Sequence, residues 1–409
     1  MDYDSSSSPS ARNGGTDHHS YVGRHRSTGS AVTSTGDENS IPTPSAAPAV
    51  PSGGAAPHVS VVVPVYNGAR EVVQALSSAL AQEYPSFDVL VIDDGSRDDS
   101  GATIERFLKD QSRAVRLLRH DGNWGLSRTL NHGLRETTGP AVLILHQDIS
   151  LAHSDWMAQA VRDLYRDPRV AVVTGNYGLP AAGEVDFAQR VFGVMRRQFH
   201  SSPDHGVESV TFSEFKCDLV SRSAVAAVGG FPERFRIAGE DLWVSCALRA
   251  QGSEILKDYA LRSVQRFSGP ATSVSGNLRK EFTFGKAIAG TLIRFRTALA
   301  RGLQQTPYSR SRSWNRASQP FVVLALILSL LLGALTGNLL LLAIFLGLLV
   351  VRLSYYGVRL YPGLRRIGGH AGRALAESAA GAPLGVVTDF AYTTGLGAGL
   401  LGWALGRKL

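Results

Sequence analysis

Between Phe321 and Val351 the chain carries no Asp, Glu, Lys or Arg, and no other feature limits its fold so strongly. Backbone polar groups inside hydrocarbon must be satisfied within the segment itself, so a long apolar run of this kind is read as helix. A single helix over Phe321–Leu353 would reach about 50 Å, well beyond a hydrocarbon core of ~30 Å. Thr336-Gly337-Asn338 interrupts the run with turn-forming residues. A hairpin of two short spans is therefore expected, over about 320–336 and 339–356. A third segment, 383–406, is rich in Gly, less apolar, and holds Asp389; it either spans or lies re-entrant. Arg310, Arg312 and Arg316 precede the hairpin, and Arg352, Arg359, Arg365 and Arg366 follow it. By the positive-inside rule both flanks are expected in the cytoplasm and the turn outside. The protein is thus read as integral to the cytoplasmic (inner) membrane, with everything N-terminal to the hairpin facing the cytoplasm. Arg407 and Lys408 would lie outside if the third segment crossed, which weighs mildly against it.

The remainder has a different texture. The 409 residues carry 42 Lys plus Arg against 34 Asp plus Glu, a formal charge of +8, with 44% hydrophobic residues. That composition excludes a wholly disordered, collagen-like or disulfide-scaffold chain. The positive balance calls for an anionic partner. Much of it is arginine beside apolar spans, and no recognition motif appears, so nucleic acid is disfavoured. Residues 1–56 are Ser, Gly, Pro, Ala and Thr without apolar period, and are expected to be a disordered tail. They lack the apolar core of a signal peptide, and His18, His19 and His25 within them are read as solvated. Cys217 and Cys246 form no C-x-x-C pair; two buried free thiols are expected rather than zinc or a disulfide.

From residue 57 to about 302, short apolar runs alternate with helical patterns. Strands are expected at Val59–Val65, Phe87–Ile92, Val115–Arg119, Ala141–Leu145 and Val170–Val173. Helices are expected to about Gln82, over Leu126–Arg135, near Trp156–Tyr165, and from about Gly276 to Arg301. Such alternation implies βαβ units and a mostly parallel sheet covered by helices on both faces. Residues 185–301 are less regular.

Open α/β sheets bind ligands outside the carboxyl ends of their strands. Asp93 and Asp94 end one expected strand, and Asp148 follows another in Leu145-His146-Gln147-Asp148. Carboxylates so placed suit a divalent cation bridging a diphosphate, although Asp-Gly is equally a turn sequence. Glu240-Asp241 precedes the apolar stretch Leu242–Leu248, where an N-terminal capping role is the plainer reading. Gly397-Ala398-Gly399-Leu400-Leu401-Gly402 fits the dinucleotide-binding glycine pattern but follows no soluble strand and lies in an apolar stretch; helix packing in a membrane explains it better.

Several stretches together resemble glycosyltransferase family 2, the inverting nucleotide-sugar enzymes of GT-A fold, and in particular rhamnosyltransferase-like members that build surface glycans. They are Val61-Val62-Val63-Pro64-Val65-Tyr66-Asn67-Gly68, Val91-Ile92-Asp93-Asp94-Gly95-Ser96, and Gly122-Asn123-Trp124-Gly125 running to Asn131-His132-Gly133. Gln147-Asp148, Gly229-Gly230-Phe231-Pro232-Glu233-Arg234-Phe235 and Gly239-Glu240-Asp241 complete the series. The resemblance covers roughly residues 58–300.

It implies a nucleotide-sugar pocket lined by Pro64, Tyr66, Asn67, Asp93, Asp94, Gln147, Glu240 and Arg266. It also implies Asp148 as a metal-binding aspartate and Asp241 as catalytic base. Asn123 and Asn131 would shape the loop and helix that close the pocket. His146 stands where the family's D-x-D element has its first Asp; imidazole ligates Mn²⁺ better than Mg²⁺, so Mn²⁺ is slightly preferred over Mg²⁺. Many relatives carry a histidine where this chain has Gln265. Arg266, Arg279 and Lys280 are candidates for the charge on the diphosphate. The Q-x-x-R-W element of processive synthases is absent, which favours addition of a single sugar to a lipid-linked or glycan acceptor. Two alternatives remain: a polyprenyl-phosphate sugar synthase, and a non-catalytic sugar-nucleotide-binding protein.

Overall fold

The computed structural model describes residues 56–111, 115–178, 186–196, 206–235, 238–266, 273–296, 307–367 and 370–405. The tail expected over 1–56 lies, apart from Ala56, outside these residues. The order begins β1 (Val59–Val65), α1 (Val72–Leu80), β2 (Phe87–Asp93), α2 (Ser100–Lys109), β3 (Val115–Arg119) and α3 (Leu126–Glu136). It continues β4 (Ala141–Leu145), β5 (Ile149–Leu151), α4 (Trp156–Leu164), β6 (Val170–Gly178), α5 (Phe187–Arg196), β7 (Val207–Val210), β8 (Cys217–Ser221) and α6 (Arg222–Ala227). Then come α7 (Glu240–Ala250), β9 (Glu254–Gln265), α8 (Val274–Arg294), α9 (Pro307–Thr336), α10 (Leu339–Arg366) and α11 (Ala371–Ala404).

These strands form one mixed sheet, ordered β3-β2-β1-β4-β8-β6-β9-β5, with β7 also paired to β9. The β3-β2-β1-β4 half is parallel, as the alternation of strands and helices requires. β8 enters antiparallel between β4 and β6. β1 and β4 are buried along their whole length, because helices cover both faces. One core packs α1 and α4 against Val61, Val63, Leu143 and Leu145. The other packs Val62, Ile92, Ile144 and Leu130 with Phe231 and Val244. The alternate residues of each strand thus serve opposite faces. Cys217 and Cys246 are buried and free.

The C-terminal region is three long helices. Ser318–Thr336 and Leu339–Arg366 are long and apolar enough to cross a membrane. Their turn is closed by Asn338, whose side chain accepts from the Leu340 and Leu341 amides at the start of α10. Residues expected as a separate third segment belong to α11, which begins at Ala371 and packs along α8. The close approach is made by glycine: a Cβ on Gly395 would fall 2.0 Å from the Phe282 carbonyl oxygen, and one on Gly399 2.4 Å from that of Lys286. Within the glycine pattern at 397–402, Gly399 makes such a contact, whereas a Cβ on Gly397 would meet nothing within 4 Å. Between α10 and α11, Arg352 donates to Asp389 at 2.6 Å and the Tyr356 hydroxyl donates to the same carboxylate at 2.5 Å.

Candidate active site

The sequence motifs converge at the carboxyl ends of β1, β2 and β4. Backbone extension stops at Tyr66, and Asn67 takes a left-handed conformation (φ 49°), which asparagine tolerates better than most residues. The loop is then pinned. Asn67 N donates to Ser96 Oγ (3.0 Å), Arg97 N donates to Asn67 Oδ1 (2.8 Å), and Gly68 N donates to Ser100 Oγ (2.8 Å). Gln147 clamps the other side, accepting from Tyr66 N (2.8 Å) and donating to Tyr66 O (3.1 Å). A Cβ at position 68 would lie 2.3 Å from the Gln147 side chain, so a larger residue there would displace that clamp. Pro64 is buried in β1, and Tyr66, just past the carboxyl end of that strand, is exposed.

Asp93 and Asp94 are both buried. Asp93 accepts from Ser96 N at 2.9 Å. Asp94 meets His120 Nδ1 (2.7 Å), Trp124 N (2.8 Å) and Gly125 N (2.9 Å). Burial opposes its charge, but those hydrogen bonds prevail and hold its carboxyl below the usual range. His120 stacks on Trp124 at 3.7 Å and reaches His132 Nδ1 at 2.9 Å. Asp94 therefore orders the β3–α3 loop. Asn131 does similar work one turn on, donating to Phe231 O (2.8 Å) and accepting from Phe231 N (2.9 Å), which fixes the glycine turn before α7.

His146, Gln147 and Asp148 connect β4 to β5. Asp148 is held by the end of β9: Gln265 Nε2 donates to Asp148 Oδ2 (3.1 Å), and Arg266 N donates to Asp148 O (2.7 Å). The Arg266 guanidinium turns to Ser150 Oγ at 3.2 Å. His146 N donates to Lys216 O at 2.8 Å. Its Nε2 is shut off from solvent and meets no hydrogen-bond partner. Burial pushes this imidazole down to about 4, so at neutral pH it is uncharged and keeps a lone pair for a ligand. No group of three His, Cys, Asp or Glu gathers into a metal cluster among the described residues. A neutral imidazole beside one carboxylate nevertheless fits a divalent cation that takes its other oxygens from a diphosphate and water.

The acidic pair opens α7, after Gly239 in a left-handed conformation (φ 103°). Asp241 Oδ1 accepts from Leu242 N at 2.7 Å. Burial, reinforced by Glu214, pushes Asp241 up to about 6 against the Leu242 amide, Lys216 and Lys280. Glu240 is buried with Oε2 unpartnered; burial and then the Asp241 charge push it up to about 8. The two carboxyls titrate as one pair, and burial disfavours the charged form of each.

Lys216 and Lys280 act electrostatically on His146 and on both members of the acidic pair. The β4–β5 corner and the start of α7 therefore lie within electrostatic reach of the same two lysines. Lys216, ion-paired to Glu214, belongs to no sequence motif. It lies in the β7–β8 connection, inside the stretch whose pattern was irregular. Arg279 is exposed on α8.

A mostly parallel sheet with helices on both faces and carboxylates at its strand ends has GT-A architecture. Residues 60–225 match the model of glycosyl transferase family 2. Glycosyltransferase AglE of Haloferax volcanii is 27% identical over 234 residues, covering 56% of this chain and 72% of that protein. Glycosyltransferase GlyG of Streptococcus pneumoniae is 29% identical over 119 residues, covering 29% of this chain and 38% of its own length. Among solved structures, mannosyltransferase PcManGT from Pyrobaculum calidifontis, in complex with GDP-Man and Mn²⁺, superposes with a TM-score of 0.50. That match has 16% identity and covers 90% of this chain and 92% of the other, a likeness of fold.

Proposed function

We propose that the protein is a membrane-attached inverting glycosyltransferase that moves one sugar from a nucleoside-diphosphate sugar to a lipid-linked or cell-surface glycan acceptor. The supporting observation is that the same two lysines, Lys216 and Lys280, act on His146, with Asp148 nearby, and on the buried Glu240–Asp241 pair. An inverting transfer is a single displacement at the anomeric carbon. The acceptor oxygen forms its bond there while the bond to the diphosphate oxygen breaks. It needs one carboxylate as base and no carboxylate nucleophile.

Asp241 takes the acceptor's hydroxyl proton. Its raised pKa makes it a better base than an exposed aspartate while leaving it mostly ionised at pH 7. Lys216 and Lys280 offset negative charge building on the departing diphosphate. Tyr66, Asn67 and Gln147 hold the nucleotide end of the donor against the pinned loop, with Arg266 beside Asp148. His146 and Asp148 would hold a divalent cation, Mn²⁺ in preference to Mg²⁺, which neutralises diphosphate charge when bound. The α9–α10 hairpin anchors the enzyme in the cytoplasmic membrane, with the catalytic domain on the cytoplasmic face. That side follows from the bracketing arginines. PcManGT, solved with GDP-Man and Mn²⁺, supports a nucleotide sugar and this metal as the first to try.

The test is a panel of nucleotide sugars screened by thermal shift with Mn²⁺, then transfer from the stabilising donor to a polyprenyl-linked acceptor. A Tm rise confined to one donor, with transfer, is expected. No shift and no transfer with any donor in Mn²⁺ or Mg²⁺ overturns the reading.

A further inference from the structure

The connection from β7 to β8 is tied to both halves of the candidate site. At its start, Ser213 N donates to Ser245 Oγ at 3.1 Å. Ser245 stands on α7 one turn after Asp241, on the same face of the helix. At its end, Lys216 O accepts from His146 N at 2.8 Å, which carries the β4–β8 ladder one step beyond the Leu145–Cys217 pair. Residues 213–216 therefore run from the first turns of α7 to the β4–β5 corner that holds His146 and Asp148.

The backbone between these ties is held in an unfavourable shape. Phe215 is left-handed (φ 48°), a region that bulky L-residues rarely adopt. Packing enforces it: Phe215 is buried and meets the Phe231 ring edge-on at 5.3 Å. With Phe215 turned into the core, its two neighbours stay at the surface and meet. Glu214 is ion-paired to Lys216, and their side chains keep 25% and 20% exposure, enough to reach a ligand. Strain of this kind persists where the surrounding structure over-determines it, and it collects at binding sites. The charge of Glu214 is also unfavourably placed. It acts on His146 and opposes ionisation of Asp241 and of the buried Asp218, and it would repel a diphosphate. A contact that only braced the loop would need neither the negative charge nor the opening to solvent.

We infer that Glu214 recognises the sugar of the donor, its carboxylate, held by Lys216, accepting a hydrogen bond from a sugar hydroxyl. This rests on the proposed transfer reaction. In a single displacement the sugar ring lies between the departing diphosphate and the base, and that is the interval which residues 213–216 bridge. Hydrogen bonds to a charged acceptor are the strong ones. A site built to bond a hydroxyl rejects an analogue that lacks or misplaces it. The ligand class is a neutral sugar, because a uronic acid would set another carboxylate against Glu214 and Asp241. Glu214 thus determines which sugar is accepted, and Asp241 remains the base.

The experiment uses the full chain in detergent with Mn²⁺. Calorimetry measures the affinity of free UDP, GDP and dTDP, and of UDP-glucose, UDP-galactose, UDP-glucuronate, GDP-mannose and dTDP-rhamnose. The ratio of each conjugate's affinity to that of its free nucleotide isolates the share of the sugar. Glu214→Gln should lower this ratio about tenfold or more for the neutral sugar that wild type prefers. It should leave free-nucleotide affinity within about twofold and narrow the discrimination against UDP-glucuronate. Glu214→Asp keeps the charge beside Asp241 and Lys216 but withdraws the oxygens by one methylene. It should lower the ratio as well, and it decides alone if Glu214→Gln does not fold. Ratios unchanged in the variants, a ratio fully restored in Glu214→Asp, or a wild-type preference for UDP-glucuronate overturns the inference while the donor reading stands. Failure of wild type to bind any of these nucleotides removes the donor reading itself, and the inference with it.

Discussion

The acidic pair at the start of α7 makes a prediction about pH. With Asp241 pushed up to about 6 and Glu240 to about 8, only the state between those values has an ionised base beside a protonated neighbour. Below pH 6 the rate should fall with the ionised fraction of Asp241, about tenfold per unit, each decade being ~1.4 kcal/mol of activation free energy. An ordinary aspartate, near 3.9, would hold full rate to about pH 5. Above pH 8, Glu240 ionises, loses its O–H donor and sets a second charge against Asp241, so the rate should fall again. Glu240→Gln copies the protonated acid in size and donor. It should keep transfer at pH 7 within about threefold and lose the alkaline fall, while its acid limb remains. The assay is kcat against pH, from 4.5 to 9.5, for wild type and variant at saturating donor. A wild-type rate flat down to pH 4.5, or an alkaline fall retained in Glu240→Gln, would refute the assignment.

Two further outcomes concern the scaffold. Asp218 on β8 is fully buried, and neither oxygen meets a donor at full hydrogen-bond geometry, although Thr174 and Ser213 lie near enough to favour its charge. Burial pushes it up to about 6. A raised carboxyl pKa destabilises the fold progressively as pH rises above the unfolded value and reaches its full effect above the folded one. Asp218→Asn should therefore raise Tm at pH 7, by the equivalent of about 3 kcal/mol at most, and hardly change it at pH 4; scanning calorimetry in detergent at both values checks this. Gly395→Leu should separate α11 from α8, because a Cβ alone meets the Phe282 carbonyl oxygen at 2.0 Å. Transfer should drop at least tenfold without loss of nucleotide binding, read by parallel kinetics and donor titration.

The parallel half of the sheet was legible because it is local. Val59–Val65, Val115–Arg119 and Ala141–Leu145 coincide with β1, β3 and β4, since continuous apolar runs bounded by turn residues have few other uses. The strand-end positions of Asp93, Asp94 and Asp148 followed from that alternation. The second half was harder to read because its order depends on pairing between distant strands. β8 enters antiparallel between β4 and β6, and β9 pairs with β5, β6 and β7. No period along the chain records such partners. For the same reason Lys216 and Glu214 went unmarked: they enter the site through the β7–β8 connection, not through a motif. Asp94 shows another limit. Its place in a recognisable motif was visible, but its hydrogen bonds to His120, Trp124 and Gly125 exist only once the β3–α3 loop is folded. The third apolar segment was ambiguous by composition, because glycine serves a span and a tight helix contact equally. The side chains of α5 and α8 that meet α11 decide its surroundings.

The most direct test of the account is transfer by Asp241→Asn in native membranes, measured beside donor binding to the same preparation. Removing a general base lowers the rate by about 10²–10⁴-fold, and Asn keeps the size of the side chain. The account predicts a loss in that range, no recovery from pH 6 to 9, and donor affinity in Mn²⁺ within a few-fold of wild type. Transfer at the wild-type rate by Asp241→Asn would contradict it.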